Sequence, residues 1–180
     1  MEENNIEEMY AGEFVGIYGK VKIENGEHLV IGRNHFVGQG LMTIGSYLIS
    51  TISIDCAAYS WNIYLGSDTS TPTNVSMTSL VSGIGSGPNS KSNSGTYYSS
   101  TTTPLVITYT ATWNAGTVSG TLGEVGLYLY MNTNGLTNGS ATSNPGLASR
   151  LSAADGSFTA FTINTAAALT VTWTVNLVYS

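Results

Sequence analysis

Residues 168–180 read ALTVTWTVNLVYS, and this stretch decides the fold class. Five apolar residues at alternate positions (Leu169, Val171, Trp173, Val175 and Leu177) are separated by threonine and asparagine. A period of two, built from β-branched and aromatic residues, is typical of an antiparallel strand with one buried and one solvated face. We therefore expect these residues to form a half-exposed strand.

Further stretches have the same strand character, at residues 14–23, 60–66, 105–113, 117–131 and 158–164. The pair Asn25-Gly26 separates the first of them from Leu29, Val30 and Ile31, which predicts a hairpin. Only residues 39–52 have helical spacing. With no alternation of strands and helices, the pattern predicts an all-β antiparallel sandwich, for which a jelly-roll is one possible form, with one short helix near residues 39–52.

The chain is poor in charge: charged residues make up 9 % of its 180 residues, against roughly 25 % in ordinary soluble domains. Such a surface lacks the repulsion that keeps β-rich monomers apart, so we expect self-assembly or pairing with other structural subunits. Seven of the eleven acidic residues lie between Glu2 and Glu27. We divide the chain into an acidic, extended N-terminal arm, residues 1–13, and a single β-sandwich domain, residues 14–180.

Charge and hydropathy also bear on partners. The net charge of −6 and only five Lys and Arg argue against nucleic acid. No apolar run of membrane-spanning length is present, so we expect no membrane span. The first ten residues do not resemble a secretory signal. We expect synthesis in the cytoplasm, from which the protein could still reach an extracellular assembly.

Few residues offer catalytic or metal chemistry. The two histidines, His28 and His35, have no obvious third partner, and we expect no catalytic residues and no cofactor. Glu124 is the only charged residue between Lys91 and Arg150, and it lies within a predicted strand. Its carboxylate could accept backbone N–H groups or pair with Arg33 or Arg150; alternatively, Asp68, Glu124 and Asp155 are weak candidates for Ca²⁺ ligands.

Two segments rich in Ser, Thr, Asn and Gly, residues 67–78 and 85–103, read as long loops. We expect them to be either flexible surface or contacts between subunits. The candidate interface residues lie in the second loop and in the arm: Glu2, Glu3, Ile6, Met9, Tyr10, Tyr97 and Tyr98. The tyrosines and the strand aromatics could also stack on sugar rings, although strand aromatics more often form core.

Four segments together resemble virion proteins of tailed phages and archaeal viruses: NHFVGQGLMTIGSYL at 34–48, WNIYLGSDTSTPTNVSMTSL at 61–80, GTVSGTLGEVGLYLY at 116–130 and the strand at 168–180. The matching positions are Asn34, Gly40, Leu41, Leu65, Gly66, Ser67, Pro72, Leu80, Glu124, Gly126 and Leu127. The resemblance implies a capsid, tail, fibre or decoration role without enzymatic activity, and structural roles for Gly40, Gly66, Glu124 and Gly126. It does not include the arm.

The functional hypothesis is therefore a non-enzymatic structural protein that assembles with copies of itself in a virion, through edge strands and the arm. Two alternatives remain open at this point. One is a subunit of a cellular extracellular filament, and the other is a carbohydrate- or receptor-binding module.

Overall fold

A computed structural model describes residues 16–38, 40, 61–84, 90–93, 96–97, 105–130 and 145–178. The acidic arm, nearly all of the predicted helix at 39–52, and Tyr98 lie outside the described residues. Within the described residues no helix is long and apolar enough to cross a membrane.

The described residues form twelve strands and one 3₁₀ turn, Ala153–Asp155, and Gly38 and Gly40 have helical backbone. In chain order the strands are β1 (Gly16–Asn25), β2 (His28–Arg33), β3 (His35–Phe36), β4 (Trp61–Gly66), β5 (Ser90–Asn93), β6 (Thr96–Tyr97), β7 (Leu105–Trp113), β8 (Thr121–Leu122), β9 (Glu124–Tyr130), β10 (Pro145–Ser152), β11 (Phe161–Thr162) and β12 (Leu169–Val178).

The strands pair antiparallel in two five-stranded sheets and one two-stranded sheet. The first sheet has the order β2-β1-β12-β7-β6, and the second has the order β3-β10-β9-β4-β5. The small sheet joins β11 to β8. The mostly β, antiparallel fold class is thus confirmed for the described residues. The chain passes from the first sheet to the second at Asn34, which is the single residue between β2 and β3.

The two large sheets share one hydrophobic core. The first sheet contributes inward-facing residues of β1, β7 and β12, including Trp113 and Trp173, and the second contributes residues of β4, β9 and β10. The alternation predicted for the last strand is confirmed, because Leu169, Val171 and Trp173 are buried between half-buried threonines. Burial of apolar surface stabilises a fold by about 25 cal/mol per Å², so this core is the main stabilising feature of the two sheets.

The predicted hairpin of β1 and β2 is confirmed, with Asn25 paired to His28 across a two-residue turn. Its central residues are Gly26 and Glu27, one position later than the Asn-Gly pair alone indicates. Gly26 has a φ of +62°, a backbone conformation that glycine adopts without a steric penalty. This shift leaves Asn25 inside the strand pairing, where its side chain is buried.

Three predictions about strands and loops need correction. Residues 85–103 are not all loop, because β5 pairs with β4 and β6 pairs with β7. Residues 158–164 contain only the two-residue strand β11. Strand β10 was not predicted at all: it lies between β3 and β9 with both faces buried, so its sequence shows no alternation.

Candidate functional site

Residues 67–84, the covering loop, leave the end of β4 and return to it. The two ends of the loop are joined by Ser67 N–H donating to the Ser82 carbonyl oxygen (2.8 Å) and by Ile84 N–H donating to that of Leu65 (3.3 Å). Between these ends Met77 and Leu80 pack on Tyr128 and other residues on the side of the second sheet that faces away from the core. The loop therefore covers the second sheet as a third layer, and the first of the two predicted loops is a true loop, packed against its own chain.

Arg150 lies beneath this loop with a fully buried side chain, 0 % exposed. Its Nε donates to Glu124 Oε2 at 2.8 Å, and its Nη2 forms a salt bridge with the same oxygen at 2.7 Å and donates to Asp68 Oδ2 at 3.3 Å. Its Nη1 donates to the Thr71 carbonyl oxygen (2.8 Å) and to Thr73 Oγ1 (3.1 Å). Each of the three guanidinium nitrogens therefore has a hydrogen-bond acceptor, which is the condition for keeping such a charge buried.

Glu124, also 0 % exposed, joins the sheet to the loop. While Oε2 pairs with Arg150, Oε1 accepts the Ser82 N–H (2.8 Å) and Oε2 accepts the Val81 N–H (3.3 Å). Of the two arginines that the sequence offered as partners, the structure places Arg150 beside Glu124 and Arg33 exposed on β2. The carboxylate thus makes both kinds of contact predicted for it, an ion pair and backbone hydrogen bonds.

Two glycines lie in close contact under the loop, and at Gly66 the contact requires glycine. A β-carbon at Gly66 would press on Glu124 Cγ and would lie 2.6 Å from the Ser82 carbonyl oxygen, so only glycine leaves space for the carboxylate. At Gly126 a β-carbon would lie 2.9 Å from Leu80 and 2.8 Å from Leu147. The third glycine with a predicted structural role, Gly40, lies against the backbone of Ala148. The glycines are therefore contact points between the second sheet and the chain that covers it.

Asp155 and Asp68 hold the first half of the loop. Asp155 accepts both the N–H (2.7 Å) and the hydroxyl (2.5 Å) of Thr73, whose Oγ1 accepts from Arg150 in turn. Asp68 accepts from the Thr71 N–H (2.9 Å) and the Ser70 hydroxyl (3.0 Å). Burial opposes ionisation of Asp68, but these hydrogen bonds outweigh it and lower the pKa of this carboxyl below its ordinary value.

Tyr128 supports the far end of the loop. Its phenol oxygen accepts the Leu80 N–H at 2.6 Å, and its ring contacts Tyr64 with centroids 4.5 Å apart. Burial raises the pKa of Tyr128 above the usual value for a phenol, and the nearby Glu124 charge acts in the same direction. The tyrosine therefore stays neutral at physiological pH and serves as a hydrogen-bond partner.

The three carboxylates that were weak candidates for Ca²⁺ ligands do lie close together, but they surround the guanidinium of Arg150. Asp68 and Glu124 contact the Arg150 guanidinium, and Asp155 reaches it through Thr73. Among the described residues no group of three or more His, Cys, Asp or Glu side chains could hold a metal ion. The geometry is that of a salt-bridge network that fastens a loop to a sheet, and Arg150 takes the place that the calcium hypothesis gave to the ion.

The other predicted residues lie elsewhere. Glu2, Glu3, Ile6, Met9, Tyr10 and Tyr98 are outside the described residues, and Tyr97 is in β6, paired through its backbone with Ile107. His28 and His35 are both exposed, and His28 stacks on Phe161 with ring centroids 4.6 Å apart. Trp113 and Trp173 are core residues, so neither can stack on a sugar.

One exposed surface was missed by the sequence reading. Leu29 and Ile31 of β2, the edge strand of the first sheet among the described residues, are 60 % and 54 % exposed, and Tyr18 of β1 is exposed farther along the same face. The signal was present in the run Leu29-Val30-Ile31: a strand that is apolar on both faces must expose one of them when only the other meets the core.

No family model, curated protein or solved structure matches this chain. What can be said of its class therefore rests on the fold and the site: a mostly β, antiparallel chain whose buried arginine network holds a long loop over one sheet.

Proposed function

We propose that this chain is a structural protein that assembles with copies of itself. The observation that carries the proposal is the exposure of two large aliphatic side chains, Leu29 and Ile31, on edge strand β2. Edge strands of proteins that stay monomeric are usually blunted by charge, proline or a covering segment. An apolar edge on a charge-poor chain favours association with another chain.

The particle in which it assembles is proposed to be a virion. This step rests on the resemblance of four segments to virion proteins of tailed phages and archaeal viruses. Two of the matching positions, Gly66 and Glu124, form the close contact that fastens the covering loop. A motif that holds a loop in place is in keeping with a structural role, and the proposed function involves no chemical reaction.

In this proposal the sheets form a β-sandwich, for which a jelly-roll is one possible form, and residues 1–13 act as an extended arm that reaches a neighbouring subunit. Edge-strand pairing of this kind draws its affinity from main-chain hydrogen bonds and its specificity from alternate side chains. The covering loop contributes less to contacts between subunits than its length suggests, because its hydrogen bonds go largely to its own chain.

The test is negative-stain electron microscopy beside light scattering on the purified chain, across a wide range of protein concentrations. We expect filaments, tubes, rings or shells whose mass rises with concentration. A variant lacking residues 1–13 should assemble more weakly; unchanged particles would exclude the arm. A monomer at every concentration would overturn self-assembly and leave the binding-module alternative as the better hypothesis.

A further inference from the structure

The edge of the first sheet at β2 has two different sides. Its odd-numbered residues Leu29, Ile31 and Arg33 face outward from the core, in register with Glu24, Lys22 and Lys20 of β1. Its even-numbered residues face the other way, and Val30 packs against the core. A strand added to this edge would therefore place alternate side chains on these two sides.

A groove lies on the inward side of this edge, between β2 and residues 157–161. Its volume is about 470 Å³, and its lining includes His28, Val30, Phe158 and Phe161. The two walls approach each other at its ends, where Gly32 lies close to the Ser157 carbonyl oxygen and where His28 stacks on Phe161. Among the described residues no backbone hydrogen bond joins the two walls. The groove can therefore admit apolar side chains from a strand that pairs with β2.

The charges beside the β2 edge indicate what kind of segment binds there. Three of the five Lys and Arg residues of the chain, Lys20, Lys22 and Arg33, lie on the outward side of β1 and β2. Lys22 is paired with Glu24 at 2.8 Å, whereas Lys20 and Arg33 are exposed at the end of the edge farthest from the hairpin turn. The arm, residues 1–13, contains five glutamates and no Lys or Arg. Complementary charge of this kind orients a partner and speeds its association.

We infer that the β2 edge and its groove receive residues 1–13 of a second copy of this chain. This inference rests on the proposed function and names the two surfaces that meet. Thirteen extended residues span about 45 Å, whereas the six residues of β2 span about 20 Å, so the arm is long enough to leave one subunit and cover the edge of another. Ile6, Met9 and Tyr10 supply the apolar side chains for the groove and for Leu29 and Ile31.

The experiment uses a fluorescein-labelled peptide of residues 1–13 and the full chain, diluted below its assembly concentration, with fluorescence polarisation as the readout. We expect saturable binding that weakens as salt screens the charges. The double variant Leu29→Thr/Ile31→Thr, whose threonines have a high strand propensity, should bind the peptide at least tenfold more weakly. The charge-reversed Lys20→Glu/Arg33→Glu should lose binding most strongly at low salt.

The matched control is Val75→Thr, which changes an apolar side chain that is 66 % exposed in the covering loop, away from the groove. It should bind within twofold of the unaltered chain. Circular dichroism spectra and melting curves of each variant establish that it is folded. Light scattering at high concentration should rank assembly in the same order as peptide binding.

Three outcomes would overturn the inference. The peptide fails to bind, or it binds the two double variants as well as the control, or it binds while the full chain stays monomeric at all concentrations, which would place the arm on its own subunit. In a fourth outcome, the unaltered chain and the Leu29→Thr/Ile31→Thr chain assemble equally well, and the assignment of the β2 edge then fails while self-assembly stands. Failure of the unaltered chain to assemble counts against the proposed function itself.

Discussion

Arg150 is the residue on which the covering loop depends. Its planar guanidinium presents five donors in a fixed fork, and each of its three nitrogens donates to an acceptor among Glu124, Asp68, Thr71 and Thr73. A lysine could not satisfy so many fixed directions from one position. The arginine is therefore a specific structural element, and its contacts join strand β9 to the covering loop.

Replacing Arg150 with methionine should lower the free energy of unfolding by about 3–5 kcal/mol, because Glu124 would stay buried without its cation. Urea denaturation followed by tryptophan fluorescence measures this change. The double variant Arg150→Met/Glu124→Gln should lose less than the sum of the two single changes, since the two side chains contact each other directly.

The matched control for this change is Arg33→Met on the exposed side of β2. It removes the same charge where the side chain is solvated, so we expect a change within about 0.5 kcal/mol. A cost below about 1 kcal/mol for Arg150→Met would mean that the network does not hold the loop.

Asp68 should make stability depend on pH in the acid range. The pKa of this carboxyl lies below its ordinary value of 3.8 in the folded chain. Its contribution to stability is therefore fully present above about that pH and is lost as the pH falls through the lower, folded-state pKa. We expect the stability difference between the unaltered chain and Asp68→Asn to shrink between pH 6 and pH 3.

Urea midpoints of both proteins at several pH values test this expectation. Asparagine keeps an oxygen acceptor for the Thr71 N–H but cannot ionise, which makes it the appropriate comparison. A difference in midpoint that stays constant from pH 6 to pH 3 would contradict it.

At the scale of elements, Asn25 fastens the β1–β2 hairpin to the loop that precedes β12. Its Oδ1 accepts the Asn164 N–H at 2.6 Å, and its Nδ2 donates to the carbonyl oxygens of Asn164, Ala167 and Ala168. An Asn-Gly pair predicts a turn from local chemistry alone. The buried role of this asparagine depends on residues some 140 positions away and could not be predicted from the local sequence.

Asn25→Ala should cost about 1–3 kcal/mol of stability, because a buried N–H group and three carbonyl groups lose their partner. The matched control is Asn114→Ala, since Asn114 comes directly after β7 and precedes a glycine-containing turn, as Asn25 does at the end of β1, but is exposed. Thermal and urea unfolding of both variants provide the comparison. Equal losses of stability at the two asparagines would show that the hydrogen bonds of Asn25 to the loop before β12 do not stabilise the fold.

At the scale of the whole molecule, the second sheet is covered on both sides: by the first sheet through the core, and by the covering loop on the other side. The charges inside this second contact are compensated by Arg150 rather than by a metal. A ligand that binds only the folded state raises the melting temperature, so removal of a structural Ca²⁺ ion would lower it.

We therefore expect the melting temperature of the purified chain to be the same in EDTA and in millimolar Ca²⁺, and we expect the particles of the proposed assembly to withstand EDTA. Differential scanning calorimetry and electron microscopy of the same samples provide the test. A clear drop in melting temperature with EDTA would reinstate a calcium site and contradict the assignment of the three carboxylates to Arg150.

The sequence by itself determined the mostly β fold class, the hairpin and the buried face of the last strand, because period-two alternation and turn chemistry are local properties of the chain. It also singled out Glu124, since a lone charge within an apolar strand needs a partner. Tertiary structure alone decided which arginine that partner is, that β10 is a central strand without alternation, and that Leu29 and Ile31 lie on an exposed edge. These outcomes depend on which strands become neighbours and which layers cover them, and such contacts join residues far apart in the sequence.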